Sequence, residues 1–255
     1  MSDFRLYHGD CAEVMKGIPE SSVSAIVSDP PYGCGFANDF YDDSHGAVFA
    51  AVPGWFQEWR RVLKPDSYLF LFVGVMTLHE WIRAGIDAGF DYRNVLATRS
   101  FNRGLCAPKG NFVYEFQPVI VFSKGKRRKF NQVDFFRQSK EWFHDKRNKN
   151  PREFTYAYSN WIPSELAYGT ETFGQTKEGD AIHPNAKNVK LLQFLIGIST
   201  DPGETVLDPF NGSGSTGVAA LNIGRDYIGI EQDKTWYENS MRRLNDTMPL
   251  FRSAV

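Results

Sequence analysis

Thr205-Val206-Leu207-Asp208-Pro209-Phe210-Asn211-Gly212-Ser213-Gly214-Ser215-Thr216-Gly217 is the stretch that decides the fold. A short apolar strand (205–207) runs into a loop with three glycines, and a short helix (216–221) follows. Glycine lets the backbone approach a ligand closely, and the unpaired N–H groups of a helix N-terminus attract an anion. The next strand, 227–230, ends at Glu231, 19 residues beyond Gly212. A carboxylate there can accept hydrogen bonds from both ribose hydroxyls, so loop and acid predict a site for a nucleoside-containing cofactor. The plainer reading is a glycine turn used for packing. The strand before it and the helix after it favour the cofactor.

Working outward, strands are expected at 23–27, 68–73 and 112–122, with helices at 47–63, 77–88, 185–199 and 234–244. Lys64-Pro65-Asp66 stops the first of these helices and Gly89 the second. Strands separated by helices require crossovers, which predicts an α/β class: a Rossmann-like, doubly wound, mostly parallel sheet. Residues 123–180 break the pattern. They are basic, aromatic and turn-rich, and read as an insertion that carries specificity.

The 255 residues are 42% hydrophobic and 23% charged, which suits a globular chain and excludes a disordered one. The longest apolar run, 68–76, is too short to cross a bilayer, so no membrane partner is expected. Met1-Ser2-Asp3-Phe4-Arg5 does not lead into an apolar segment, so no signal peptide is expected. Cys11, Cys34 and Cys106 cannot all pair and are not at metal-ligand spacing, which favours a reducing, cytoplasmic setting and no metal. Between Arg93 and Arg152, 15 Lys and Arg face 4 Asp and Glu, leaving −12 for the other residues. Such an asymmetry suits either a face that meets a polyanion or a solvated loop.

The second informative stretch is Ser28-Asp29-Pro30-Pro31-Tyr32. Two prolines fix φ at consecutive positions and hold Asp29 extended, giving a rigid turn at the carboxyl end of a strand. Open α/β sheets bind ligands there. The turn offers the Asp29 carboxylate and the Pro30 carbonyl side by side, which suits an NH₂ group, and Tyr32 offers a ring for stacking a heterocycle.

Asp29-Pro30-Pro31-Tyr32 upstream of Asp208-Pro209-Phe210-x-Gly212-x-Gly214 resembles the beta group of DNA amino-methyltransferases. Those enzymes carry the two motifs in this circularly permuted order and methylate N6 of adenine or N4 of cytosine with S-adenosyl-L-methionine. Gly9-Asp10, Leu63-Lys64-Pro65, Glu115-Phe116 with Phe122-Ser123-Lys124, and His183-Pro184-x-x-Lys187 fit further motifs of the group. The last departs from the pattern: Asn185-Ala186 stand where Thr-Gln is common, and Asn188 where proline is.

The resemblance implies a catalytic half (1–123), an inserted target-recognition region (124–180) and a cofactor-binding half (181–255). It implies catalysis by Asp29, Pro30, Pro31 and Tyr32. The cofactor's methionine end would lie on Ser213, Ser215 and Thr216, within a loop formed by Asp208, Phe210, Asn211, Gly212 and Gly214, with Glu231 at the ribose. His183 and Lys187 would neighbour the methionine carboxylate. Asp10, with Cys11 beside it, would contact the adenine amino group, although an N-cap is equally good chemistry for Asp10. Double-stranded DNA is the implied partner, with Lys124, Lys126, Arg127, Arg128, Lys129, Arg137, Lys140, Lys146 and Arg147 on phosphates. Phe130, Phe135, Phe136, Trp142 and Phe143 would form a small local core, and 99–109 a loop closing on DNA. Many relatives pair, which allows a homodimer.

Asp rather than Ser before the prolines is the tendency of the adenine enzymes. Rival readings are an NAD-dependent oxidoreductase, methyl transfer to RNA or to a protein amide, and a DNA-binding protein without catalysis. The main expectation requires the Asp29 turn and the glycine loop to face one cavity.

Overall fold

In the computed structural model, which describes residues 2–35, 42–99, 116–126, 130–131, 162 and 186–248, seven strands form one sheet. They are β1 (Phe4–His8), β2 (Val23–Ser28), β3 (Leu63–Phe72), β4 (Asp91–Arg99), β5 (Phe116–Lys124), β6 (Thr205–Asp208) and β7 (Asp226–Glu231). The spatial order is β1-β7-β6-β2-β3-β5-β4. Neighbours run parallel except for β5, which is antiparallel to both β3 and β4. The doubly wound, mostly parallel α/β expectation is met.

The described helices are α1 (Cys11–Met15), α2 (His45–Val62), α3 (Leu78–Asp87), α4 (Val189–Ser199), α5 (Ser215–Asn222) and α6 (Lys234–Thr247). Alternation along β3 defines the layers, since successive side chains of a strand point to opposite faces. Phe70 and Phe72 pack with Leu191 and Leu195 of α4 and Val218 of α5. Leu69 and Leu71 pack on the other face with Val52, Phe56 and Trp59 of α2 and Trp81 of α3. Helix α2 contains Pro53, whose missing N–H costs about 3 kcal/mol in a helix interior. Its buried stripe of Val48, Val52, Trp55, Phe56, Trp59 and Val62 outweighs that cost, at about 1.5–3 kcal/mol per side chain.

Strands β1 and β4 were not expected, and both are sheet edges. Residue Asn188, in the position where the resemblance favours proline, is the N-cap of α4: its Oδ1 accepts the N–H of Lys190 at 2.8 Å and of Leu191 at 3.3 Å. Two described points of the middle segment touch this frame. Asn131 Nδ2 donates to the carbonyls of Gly197 (3.2 Å) and Thr200 (2.8 Å) at the end of α4. The N–H of Ile162 donates to Ala97 of β4 at 3.0 Å. No helix among the described residues is long and apolar enough to cross a membrane.

The chain leaves β2 through α2 towards β3, and leaves β6 through α5 towards β7 on the opposite side. Strands β6 and β2 are neighbours, so the winding reverses between them. A crevice opens at such a switch point beyond the carboxyl ends of the strands.

Candidate active site

Strand β2 delivers the acidic turn to this crevice. Ser28 Oγ donates to Asp208 Oδ1 at 2.8 Å and joins the ends of β2 and β6. The Tyr32 carbonyl accepts from Thr77 Oγ1 (2.7 Å) and from Trp81 Nε1 (3.3 Å). Asp43, buried, accepts the N–H groups of Gly33 (2.9 Å) and Cys34 (3.2 Å). Gly33 has φ of +71°, and a Cβ there would lie 2.8 Å from the Phe49 ring, so the turn needs glycine. Prolines and polar pins thus fix the backbone around Asp29 before any ligand arrives.

The Asp29 carboxylate is held from two sides. Its Oδ1 accepts the Tyr32 hydroxyl at 2.5 Å, and that hydroxyl accepts in turn from Gln117 Nε2. Its Oδ2 pairs with Lys187 Nζ, the two side chains being only 19% and 16% exposed. The same ammonium lies 5.5 Å from the centre of the Phe72 ring.

The glycine loop forms the other wall. Gly212 and Gly214 adopt φ of +49° and +76°. Glu231 accepts the Gly212 N–H at 2.7 Å and the Asp233 N–H at 2.8 Å. A carboxylate has about four acceptor positions, so these bonds leave Glu231 capacity to accept from a ligand hydroxyl. Burial raises the Glu231 pKa, against the pull of those backbone donors. The Ser213 and Ser215 hydroxyls lie 2.9 Å apart, and Arg243 Nη1 donates to Ser215 Oγ at 3.1 Å. Burial pushes Asp208 up to about 6, opposed by hydrogen bonds from Thr216, Ser28 and the Phe210 N–H, with the Asp29 charge adding to the rise. The Asn211 side chain is a brace, donating to Ser240 Oγ (2.8 Å) and accepting the Tyr227 hydroxyl (2.9 Å). Gly214 caps α5 and packs on α6, where a Cβ would meet Ser240 at 3.1 Å.

Both walls enclose one cavity of about 560 Å³, bordered by Asp29, Tyr32, Lys187, Asp208, Gly212 and Glu231 among others. That size suits a small-molecule site. Pro30, Pro31, Phe210, Asn211, Ser213, Ser215 and Thr216 also face it. Asp10 borders it too, and its Oδ1 accepts the N–H of Ala12 (2.9 Å) and Glu13 (3.1 Å), which makes it the N-cap of α1. Burial, with the Asp10 charge second, pushes the neighbouring Cys11 thiol up to about 12. The described lining carries seven carboxylates against the one ammonium of Lys187. Such a field opposes a pyrophosphate and favours a cationic ligand such as a sulfonium. The residues therefore fit S-adenosylmethionine and disfavour NAD.

Comparison with known proteins agrees. A family model described as DNA methylase matches residues 23–242. The chain belongs to this family. The methylase is 30% identical to the putative methylase YubD of Escherichia coli K12, across 94% of this chain and 89% of the relative. It is 25% identical to the type II methyltransferase M2.MboI of Moraxella bovis, across 98% and 91%. The PvuII cytosine-N4-specific DNA methyltransferase shares the fold, with a TM-score of 0.74, 20% identity and coverage of 97% and 92%. The methylase uses S-adenosyl-L-methionine as its cofactor. When bound, that cofactor supplies an electrophilic methyl group on sulfur.

The expected site residues of this DNA methylase do not all converge. Lys124 pairs with Ser67 midway along β3, five residues and about 17 Å from Phe72 beside the cavity. Its Nζ donates to the Leu63 carbonyl at 2.6 Å, and burial, then the Arg60 charge, lowers its pKa. Lys126 follows it at the same far end of the sheet. His183, Arg127, Arg128, Lys129, Arg137, Lys140, Lys146, Arg147, residues 100–109 of the expected loop, and Phe135, Phe136, Trp142 and Phe143 of the expected local core lie outside the described residues; Arg99 is the last residue of β4. Gln117, Thr77 and Asp43 were missed, because a lone Gln, Thr or Asp carries no pattern in a sequence.

Proposed function

We propose that the methylase transfers the methyl group of S-adenosylmethionine to N6 of an adenine flipped out of double-stranded DNA. The observation that carries this reading is the single cavity shared by Asp29 and the glycine loop. The adenine assignment is supported by Asp29 standing before the prolines, where the cytosine enzymes tend to have serine. The lone pair of an exocyclic amine is delocalised into its ring, so the amine is a poor nucleophile. Asp29 and the Pro30 carbonyl accept hydrogen bonds from its two N–H groups, draw the nitrogen towards tetrahedral geometry and localise that lone pair; once the nitrogen carries the methyl group, one of its protons leaves to water. Positioning and electrostatics then account for most of the rate. A base in the duplex cannot reach the cavity and must leave the stack, with the Tyr32 ring against it. Basic residues of the middle segment bind phosphates, a contribution that weakens with salt.

Treated DNA, digested to nucleosides and analysed by mass spectrometry, is expected to contain N6-methyladenine. N4-methylcytosine in its place would overturn the adenine assignment. Asp29→Ala should abolish transfer while S-adenosylhomocysteine still binds in calorimetry. Full activity in that variant would end the mechanism.

A further inference from the structure

The geometry points to Lys187 and Gln117 as positioning residues that clamp the Asp29 carboxylate from opposite sides, a role that rests on the function proposed above. A carboxylate at the end of two rotatable bonds has several orientations, and the target amine needs its acceptors in one of them. A misplacement of about 1 Å at a reacting centre can cost about 10²-fold in rate. Asp29 is fixed at both oxygens. On one side the Tyr32 hydroxyl holds Oδ1 and is itself held by Gln117 of β5. On the other, Lys187 holds Oδ2.

The clamp has rigid roots. Lys187 immediately precedes Asn188, whose side chain caps α4, so the backbone that carries the lysine is tied to a buried helix. Its ammonium also rests over Phe72. Gln117 lies within the β4–β5 pairing, and its carbonyl accepts Thr98 Oγ1 at 2.9 Å. Two of the roughly four acceptor positions of Asp29 are occupied by the clamp, which leaves two for the incoming amine. The resemblance implied a place for Lys187 beside the methionine carboxylate. In the structure its ammonium pairs with Asp29.

The two assignments separate kinetically. Purified wild type, Lys187→Met, Lys187→Arg and Gln117→Leu are assayed with unmethylated genomic DNA and labelled S-adenosylmethionine. Affinity for S-adenosylhomocysteine is measured in parallel by calorimetry, which also reports on folding. The clamp predicts that kcat falls about 10²-fold in Lys187→Met and about tenfold in Gln117→Leu. It predicts affinity for S-adenosylhomocysteine within about twofold of wild type and partial recovery of kcat in Lys187→Arg. Affinity that falls in step with activity, with kcat at saturation unchanged, would make Lys187 a cofactor ligand and overturn the clamp. Wild-type protein that transfers no methyl group to DNA would overturn both the clamp and the function beneath it.

Discussion

Tyr32 uses both ends of its side chain. Its ring borders the cavity and its hydroxyl donates to Asp29. Tyr32→Phe keeps the ring and removes the hydroxyl. A hydrogen bond to a charged group contributes about 1.5–3 kcal/mol, so kcat should fall roughly 10- to 100-fold with little change in cofactor affinity. Steady-state kinetics with saturating DNA checks this, and an unchanged kcat would leave stacking as the ring's whole role. Asp29 and Tyr32 were legible because prolines and an apolar strand frame them within five residues. Gln117 was not, since 85 residues separate it from Tyr32. The partner of Lys187 was hidden for the same reason, 158 residues away.

At the scale of elements, the buried strands and the long helices were legible, and the edges of the sheet were not. β2 is buried at all six positions, whereas β1 buries only Leu6 of five. An edge strand has one neighbour and less cover, so its apolar pattern is thin. Close packing between elements is equally invisible in sequence. On α3, a Cβ at Gly85 would lie 2.3 Å from the Phe122 ring of β5, which is fully buried. Gly85→Ala should therefore destabilise the fold by about 1–3 kcal/mol, despite alanine's better helix propensity. Urea denaturation would show it as a lower midpoint, and a raised midpoint would mean that α3 can move off the sheet.

Across the whole molecule, Asp208 ties folding to pH. Its carboxyl is pushed from 3.8 to about 6 by burial, so the folded chain keeps a proton that the unfolded chain releases between about pH 4 and 6. Stability from this group is greatest below about pH 4, declines as pH rises to about 6 and is flat beyond. The decline is on the order of 3 kcal/mol. Glu231 is shifted in the same direction. Asp208→Asn keeps an acceptor for Ser28 and removes the titration. Subtracting its denaturation midpoints from those of wild type between pH 4 and 8 should reveal the decline, and parallel profiles would refute it.

The sequence by itself determined the α/β class, the glycine loop and the acidic turn, because each is written in residues that lie close together along the chain. Proline, glycine and apolar periodicity act locally, and local physics can be read locally. Only the tertiary structure decided that the two motifs share one cavity, that Ser28 and Asp208 join them, and that Asp29 is held by Lys187 and by a Tyr32 hydroxyl that Gln117 holds in turn. These contacts depend on which strands become neighbours. That choice is made when both faces of the sheet are buried at once, and no short stretch of chain contains it.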